Sequence, residues 1–524
     1  MVNLNLFQTR KAALPQPTVL NAEYAPAYAL TPRHQLAQLA ATGCLGHTFY
    51  ASAQEQLDRV STLAWEVDAA FVAQTAIYAR QVGHMKDMPA LLAAHLAVRD
   101  IVLLDQVFGR VIDNGKMLRN FVQIVRSGTM GRRSLGSRPK KLVQQWLLNA
   151  TESQLLNAAV GNAPSLADVV KMVHPKAGDA WRAAWFAWLL GKPVDESALP
   201  PITRAFERFK RDSARGEAGD VPDVPFQMLT ALSLDASQWA QIARKGSWQM
   251  VRQSLNTFAR HGVFDLPGMT RVIASKLADP EAVAKARVMP YQLLAAYKAA
   301  GDDVPELVRD ALQDAMEHAI ANVPRFAGRV VVCADVSGSM HAAVTGMRGS
   351  ATSRVRCIDV AALMAASVLR KNGATRVLPF EHDVVSSFKL NRRDSIMTNA
   401  QALAAVGGGG TNCSAPLALL NRERERVDLV IMVSDNESWV DARRHGATQT
   451  MQEWALLKQR NPKARLVCID VQPNTTTQAC ERADTLNVGG FSDAVFGMVA
   501  RFAEGELNPD HWVGEIEQIP LTPQ

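Results

Sequence analysis

Val330-Val-Val-Cys-Ala-Asp335-Val-Ser337-Gly-Ser339-Met340 decides the fold of this 524-residue chain. A strand-forming apolar run ends in an aspartate, and two serines follow at alternate positions. Ligands of open α/β sheets gather outside the carboxyl ends of the strands, so this exit is a place for a site. Two later stretches end alike. Gly407-Gly-Gly-Gly-Thr411 presents a hydroxyl from a glycine loop, and Leu429-Val-Ile-Met-Val-Ser-Asp435 runs from strand into carboxylate. Taken singly, such a motif is a helix cap or a turn. Three strand exits that each supply oxygen point instead to one hard cation, held by Asp335, Ser337, Ser339, Thr411 and Asp435. Few charges and several neutral oxygens suit Mg²⁺, which keeps part of its water and an open position. A set without His or Cys does not suit zinc.

Around this stretch, strands alternate with helices. Strands are expected at 329–335, 375–380, 427–434 and 464–471, with a further candidate at 384–388, and helices near 357–371, 414–424, 449–460 and 491–503. The pattern predicts an α/β doubly wound domain over residues 326–524. Gly407–Gly410 is no phosphate-binding P-loop, because no Gly-Lys-Ser/Thr follows; it brings Thr411 close to the cation.

Upstream the periodicity changes. From 31 to 325 apolar residues recur at helical spacing with short Gly, Pro or Asp breaks and no βαβ alternation, which predicts an all-α array of helical pairs. Residues 1–30, rich in Pro and Ala, read as an extended arm. Trp181, Trp185 and Trp188 fall on one helical face and read as core.

Charge divides along the same boundary. Residues 326–524 carry 21 Lys+Arg and 21 Asp+Glu, which leaves 36 against 29, and the whole net +7, to residues 1–325. A basic excess confined to one domain points to a polyanion, RNA or DNA. Arg126, Arg132, Arg133, Arg138, Lys140 and Lys141 crowd the Gly/Ser loop that follows a helix at 118–126. Lys171, His174 and Lys176 follow near a later helix end. Such residues hold phosphates without reading bases. No apolar run is long enough to span a bilayer and the start lacks a secretory pattern, so a cytoplasmic protein without a membrane partner is expected. Six cysteines without CxxC spacing fit reduced, buried thiols.

The oxygen set resembles the metal-ion-dependent adhesion site of von Willebrand factor A domains. The chain as a whole resembles the Ro RNA-binding proteins, whose helical part is the TROVE domain. The resemblance is carried by Gly46-His-Thr-Phe-Tyr50, Met130-Gly-Arg-Arg133, Val173-His174-Pro-Lys176, Met289-Pro290-Tyr291, Asp335 to Met340, Gly409 to Pro416 and Ser434-Asp435-Asn-Glu-Ser438. It implies a ring of HEAT-like repeats followed by the A domain. It also implies binding of Y-like small RNA and of misfolded-RNA ends, and work with an exoribonuclease in RNA quality control and stress, as in bacterial members. His174 takes the position of an RNA-contacting histidine, and the five oxygen ligands take those of the metal site. In the helices before His174, where the family is basic, this chain has Asn157 and Asn162. The expectation is a non-enzymatic RNA scaffold. A Mg²⁺-dependent protein-interaction module is the alternative, and a metal hydrolase ranks last because only Glu437 offers a base near the set.

Overall fold

The computed structural model describes residues 14–43, 52–217, 219–344, 347–348, 351–352, 355–438, 447–490, 493–507 and 510–522. Gly46–Tyr50 and Cys44 lie outside them. The chain forms two compact units: residues 39–45, 53–322 and 513–524 make a helical unit, and residues 1–38, 46–52 and 323–512 make an α/β unit.

The helical unit is built from short helices that pack on near neighbours in sequence through their apolar stripes. Those used below are α1 (Gly115–Ser127), α2 (Ser137–Asn149), α3 (Glu152–Ala159), α4 (Leu166–Val173) and α5 (Ala180–Leu189). α1 shows the rule plainly. Met117, Leu118, Phe121, Val122 and Val125 are buried at helical spacing, Asn114 caps the start, and Gly128 at φ +89° ends it. On α5, Trp185 is fully buried and its Nε1 donates to Thr203 Oγ1 at 3.1 Å, so this tryptophan is core, whereas Trp181 and Trp188 are half-buried.

In the α/β unit, β1 (Val330–Asp335), β2 (Thr375–Phe380), β3 (Leu429–Ser434), β4 (Arg465–Asp470) and β5 (Thr485–Gly489) form one parallel sheet in the order β5-β4-β3-β1-β2. β1 and β3 are buried at every position, as the unbroken apolar runs require of strands covered on both faces. The helices are α6 (Cys357–Lys371), α7 (Ile396–Ala404), α8 (Ala415–Arg422), α9 (Gln449–Arg460) and α10 (Asp493–Glu504). α6 is buried without a break from Cys357 to Leu369. The chain leaves β1 to form β2 on one side and returns to form β3 on the other. The gap between β1 and β3 is therefore the topological switch point, where the helices diverge and leave a crevice.

Two expected features differ. Residues 384–388 make no strand; Val384 only bridges back to Phe380. The described part of the N-terminal arm is packed rather than free. Val19–Leu20 pairs with Pro26–Ala29, which pairs with Thr476–Thr477, and Tyr28 enters the core of the α/β unit. Burial of Ala27 and Tyr28 between more exposed neighbours explains the pairing.

The described cysteines are all free, and Cys333, Cys357, Cys413 and Cys468 are buried. Burial pushes the Cys357 thiol up to about 12. Among the described residues no helix is long and apolar enough to cross a membrane.

Candidate metal centre and nucleic-acid interface

β1 delivers Asp335 to the switch point with no exposed surface. Its Oδ1 accepts the Ser337 backbone N–H at 2.8 Å, and its Oδ2 accepts Ser434 Oγ at 2.5 Å. The Ser337 and Ser339 hydroxyls lie 3.3 Å apart. The glycine loop docks on the same turn: Gly408 N–H donates to Val336 O at 3.1 Å and Gly338 N–H to Gly409 O at 3.0 Å. Gly407 has φ +101°, and a Cβ there would overlap the Val336 carbonyl oxygen, so only glycine permits the loop to dock on this exit; Thr411, nearly buried, follows it. Asp435 follows β3, nearly buried, and takes the Glu437 N–H at 3.3 Å.

The electrostatics are those of crowded carboxylates. Burial, then Asp435, pushes the Asp335 carboxyl up to about 7. Burial, then Asp435 and Glu23, raises Glu437 to about 7 against a hydrogen bond from Ala22 that lowers it. Burial, then Glu437 and Asp435, holds Asp470 well above the usual carboxylate range. Among the described residues no group of three or more His, Cys, Asp or Glu is placed to hold a metal ion. The donor set is two aspartates with Ser337, Ser339 and Thr411 hydroxyls, oxygen throughout, and it fits a hard divalent cation. Ser434, which orients Asp335, and Asp470, at the end of β4, stand outside the five residues that the motifs single out. The Ser-Asp pair at the end of β3 is the available signal for the first.

In the helical unit, the basic residues divide into two kinds. Arg132 donates to Ala97 O at 3.0 Å, and Arg138 pairs with Asp105. Both therefore shape the loop between α1 and α2. Arg126, Arg133 and Lys141 are exposed and Lys140 half-buried, none with a side-chain ion pair or hydrogen bond among the described residues. Lys140, Lys141 and Gln144 share one face of α2. Gln144 Nε2 donates to Val173 O at 2.5 Å, which ties that face to the end of α4. A Ser165–Asp168 capping box starts α4 and His174 ends it at φ +50°, exposed, between exposed Lys171 and Lys176. Gln144 carries no charge, so a search of the sequence for cations passes over it.

The family model described as the Ro60 vWA domain matches residues 329–503. The chain is 24% identical to the RNA-binding protein RO60 of Deinococcus radiodurans over 516 residues, covering 92% of this chain and 94% of that protein. It is also 24% identical over 255 residues to the RNA-binding protein RO60 of Caenorhabditis elegans, covering 45% of this chain and 37% of that one. The crystal structure of the Deinococcus radiodurans RO (RSR) protein superposes with a TM-score of 0.66 at 22% identity, over 91% of this chain and all of that one.

Proposed function

We propose, for a chain that is a homologue of the Ro proteins and whose residues 329–503 form a vWA domain of the Ro60 type, that it is a non-enzymatic RNA-binding scaffold. The observation that carries this reading is the surface shared by α2 and the end of α4. Lys141, Lys171, His174 and Lys176 face solvent there beside half-buried Lys140, and Gln144 ties the two ends together. Cations gathered on one helical surface suit phosphates. The relatives bear the name of RNA-binding proteins, over nearly the whole length in one case. The ligand in this reading is a Y-like small RNA or the unpaired end of a misfolded RNA, and an exoribonuclease is the partner that would act on what is held. The site of action is the cytoplasm.

The metal set is a Mg²⁺ site in the same reading. Asp335 and Asp435 would bind the ion directly or through water, with Ser337, Ser339 and Thr411 adding neutral oxygens. The ion supplies an open coordination position to which a partner's carboxylate can bind. Glu437 argues for binding rather than hydrolysis, since its Oε2 accepts the Ala22 N–H at 2.8 Å instead of facing a substrate.

The test is fluorescence anisotropy of the full chain with a hairpin RNA carrying an unpaired tail. Binding that weakens when Arg133, Lys141 and Lys176 are changed together to alanine supports the scaffold. Failure to bind any RNA at low salt overturns it.

A further inference from the structure

Two cavities of the helical unit share a wall. The first, of about 480 Å³, opens beside the start of α1 and α3 and is lined by Lys86, Lys116 and Arg119 together with side-chain amides. The second, of about 310 Å³, is mostly apolar, with Val221, Phe226 and Met250 among its lining residues. Asn157 and Gln227 line both. Gly115 makes room for the pair: a Cβ there would overlap Ala158 Cβ, so α1 and α3 touch and the cleft opens next to the contact.

The polar groups of the cleft are not fully engaged within the protein. Lys86 and Lys116 are exposed, and their side chains make no ion pair or hydrogen bond among the described residues. Arg119 is buried, 7% exposed, with two nitrogens fixed on Pro164 O and Val160 O. Its Nε is buried with no hydrogen-bond partner among the described residues. Asn157 uses Nδ2 on Ser153 O at 2.8 Å and leaves Oδ1 open. The one carboxylate among the described lining residues, Asp223, is exposed and belongs to the apolar half.

We propose that this cleft binds one nucleotide unit. The phosphate lies in the first cavity, against Lys86 and Lys116 and in the field of the immobilised Arg119. The base lies in the second, on Phe226 and Met250, where apolar and aromatic lining favours a π-face. Asn157 Oδ1 and the Gln227 amide stand between them and offer an acceptor and a donor to the base edge. Asp223 and Lys245 offset one another in the apolar half, whereas the first cavity has three cations and no carboxylate in its lining, so phosphate favours the first cavity and the unit enters in one orientation. A nucleotide within RNA and a free nucleoside monophosphate share this chemistry. The first of these rests on the RNA-scaffold reading; the second does not.

Calorimetric titration of the full chain with AMP, UMP, adenosine and ribose 5-phosphate tests the proposal, with a six-nucleotide single-stranded RNA as competitor. The monophosphates should bind more tightly than either fragment. Lys86→Ala with Lys116→Ala should weaken AMP about tenfold or more and leave adenosine unchanged, since only the charge-assisted bonds to phosphate are removed. Phe226→Ala should weaken adenosine and AMP alike, by roughly 5- to 150-fold for a stacked base. Circular dichroism melting checks the fold of each variant; both lysines are exposed, so their removal should leave it intact. Competition by the hexanucleotide assigns the unit to RNA, and binding of AMP without competition assigns it to a free nucleotide. RNA affinity that depends on Arg133 and Lys141, with no binding of monophosphates and no effect of the Lys86 and Lys116 changes, overturns the cleft and leaves the scaffold standing. AMP binding that depends on Lys116 in a chain that binds no RNA keeps the cleft and removes the scaffold.

Discussion

Asp335 is raised twice over, once by leaving water and once by facing Asp435, and both effects favour its protonated form. Its folded pKa therefore lies above the unfolded value, so ionising it costs stability that grows as pH rises from about 4 to about 7. Asp335→Asn removes that cost. In metal-free buffer at pH 8 the variant should melt at or above the wild type, whereas 5 mM-scale Mg²⁺, roughly a saturating level for a weak site, should stabilise only the wild type. Calorimetry should show no Mg²⁺ binding to the variant and unchanged RNA affinity; joint loss of both would tie the two sites together. Glu481 offers a second reading at the same scale. Burial raises it to about 8, against hydrogen bonds from Asn487 that lower it, and among the described residues its Oε1 has no hydrogen-bond partner, only the His34 and His511 ring nitrogens at 3.9 Å. A raised carboxyl destabilises the fold increasingly from about pH 4 to about pH 8, so Glu481→Gln should stabilise by on the order of 2 kcal/mol at pH 8, discounted for partial exposure, and by little at pH 5. Equal shifts in melting temperature at both pH values would count against this account. Individual residues were the most legible part of the chain where a motif fixed their spacing, as in Asp335-x-Ser-x-Ser. They were least legible where a role depends on geometry: nothing local distinguishes Arg132, which holds a carbonyl, from Arg133, whose side chain has no hydrogen bond or ion pair among the described residues.

Elements carried by continuous apolar runs were readable to within a residue or two. β1 and β2 were expected at 329–335 and 375–380 and occupy Val330–Asp335 and Thr375–Phe380. α7 and β5 were not expected. α7 opens with Ser395 accepting the Thr398 N–H, but Thr398 and Asn399 in its first turns are weak helix formers. β5, Thr-Leu-Asn-Val-Gly, is held by its register with β4 rather than by its own propensity. The glycine loop is an element too. Gly407→Ala meets both a left-handed φ and the Val336 carbonyl. It should destabilise the α/β unit by about 1–3 kcal/mol, and Mg²⁺ affinity should fall because Thr411 is displaced. Unaltered affinity in calorimetry would remove Thr411 from the ligand set. In the helical unit the loop between α1 and α2 should respond differently to its two adjacent arginines. Arg132→Ala should speed limited proteolysis within 128–136 and weaken RNA binding indirectly. Arg133→Ala should weaken binding with the proteolysis rate unchanged.

Charge is partitioned across the molecule, with the net +7 confined to residues 1–325. RNA binding should therefore carry the whole salt dependence in that part. Arg133→Ala with Lys141→Ala should flatten the slope of log affinity against log salt by roughly 0.7 to 0.9 for each phosphate no longer neutralised, while charge-neutral changes at the metal set leave the slope alone. Filter binding across a salt series measures it, and an unchanged slope in the double variant would place the RNA elsewhere. His174→Ala should cost more for a structured RNA than for a single strand, because duplex shape is read by a fixed surface and an unpaired end is not. The assignment of each segment to its unit was the least legible property at this scale, since no local pattern in residues 14–38 or 513–522 says which core they join. The final stretch shows what this entails. Gln74 Nε2 donates to Glu517 O at 2.8 Å and to Ile519 O at 3.0 Å, and Arg110 reaches Pro520 O, all within the helical unit. On the ribosome, where chains emerge at about 5–20 residues per second, the helical unit waits for its last strap until 198 further residues, 323 to 520, have been made. For roughly 10 to 40 seconds at that speed its Gln74 and Arg110 face lies open to whatever the nascent chain meets first.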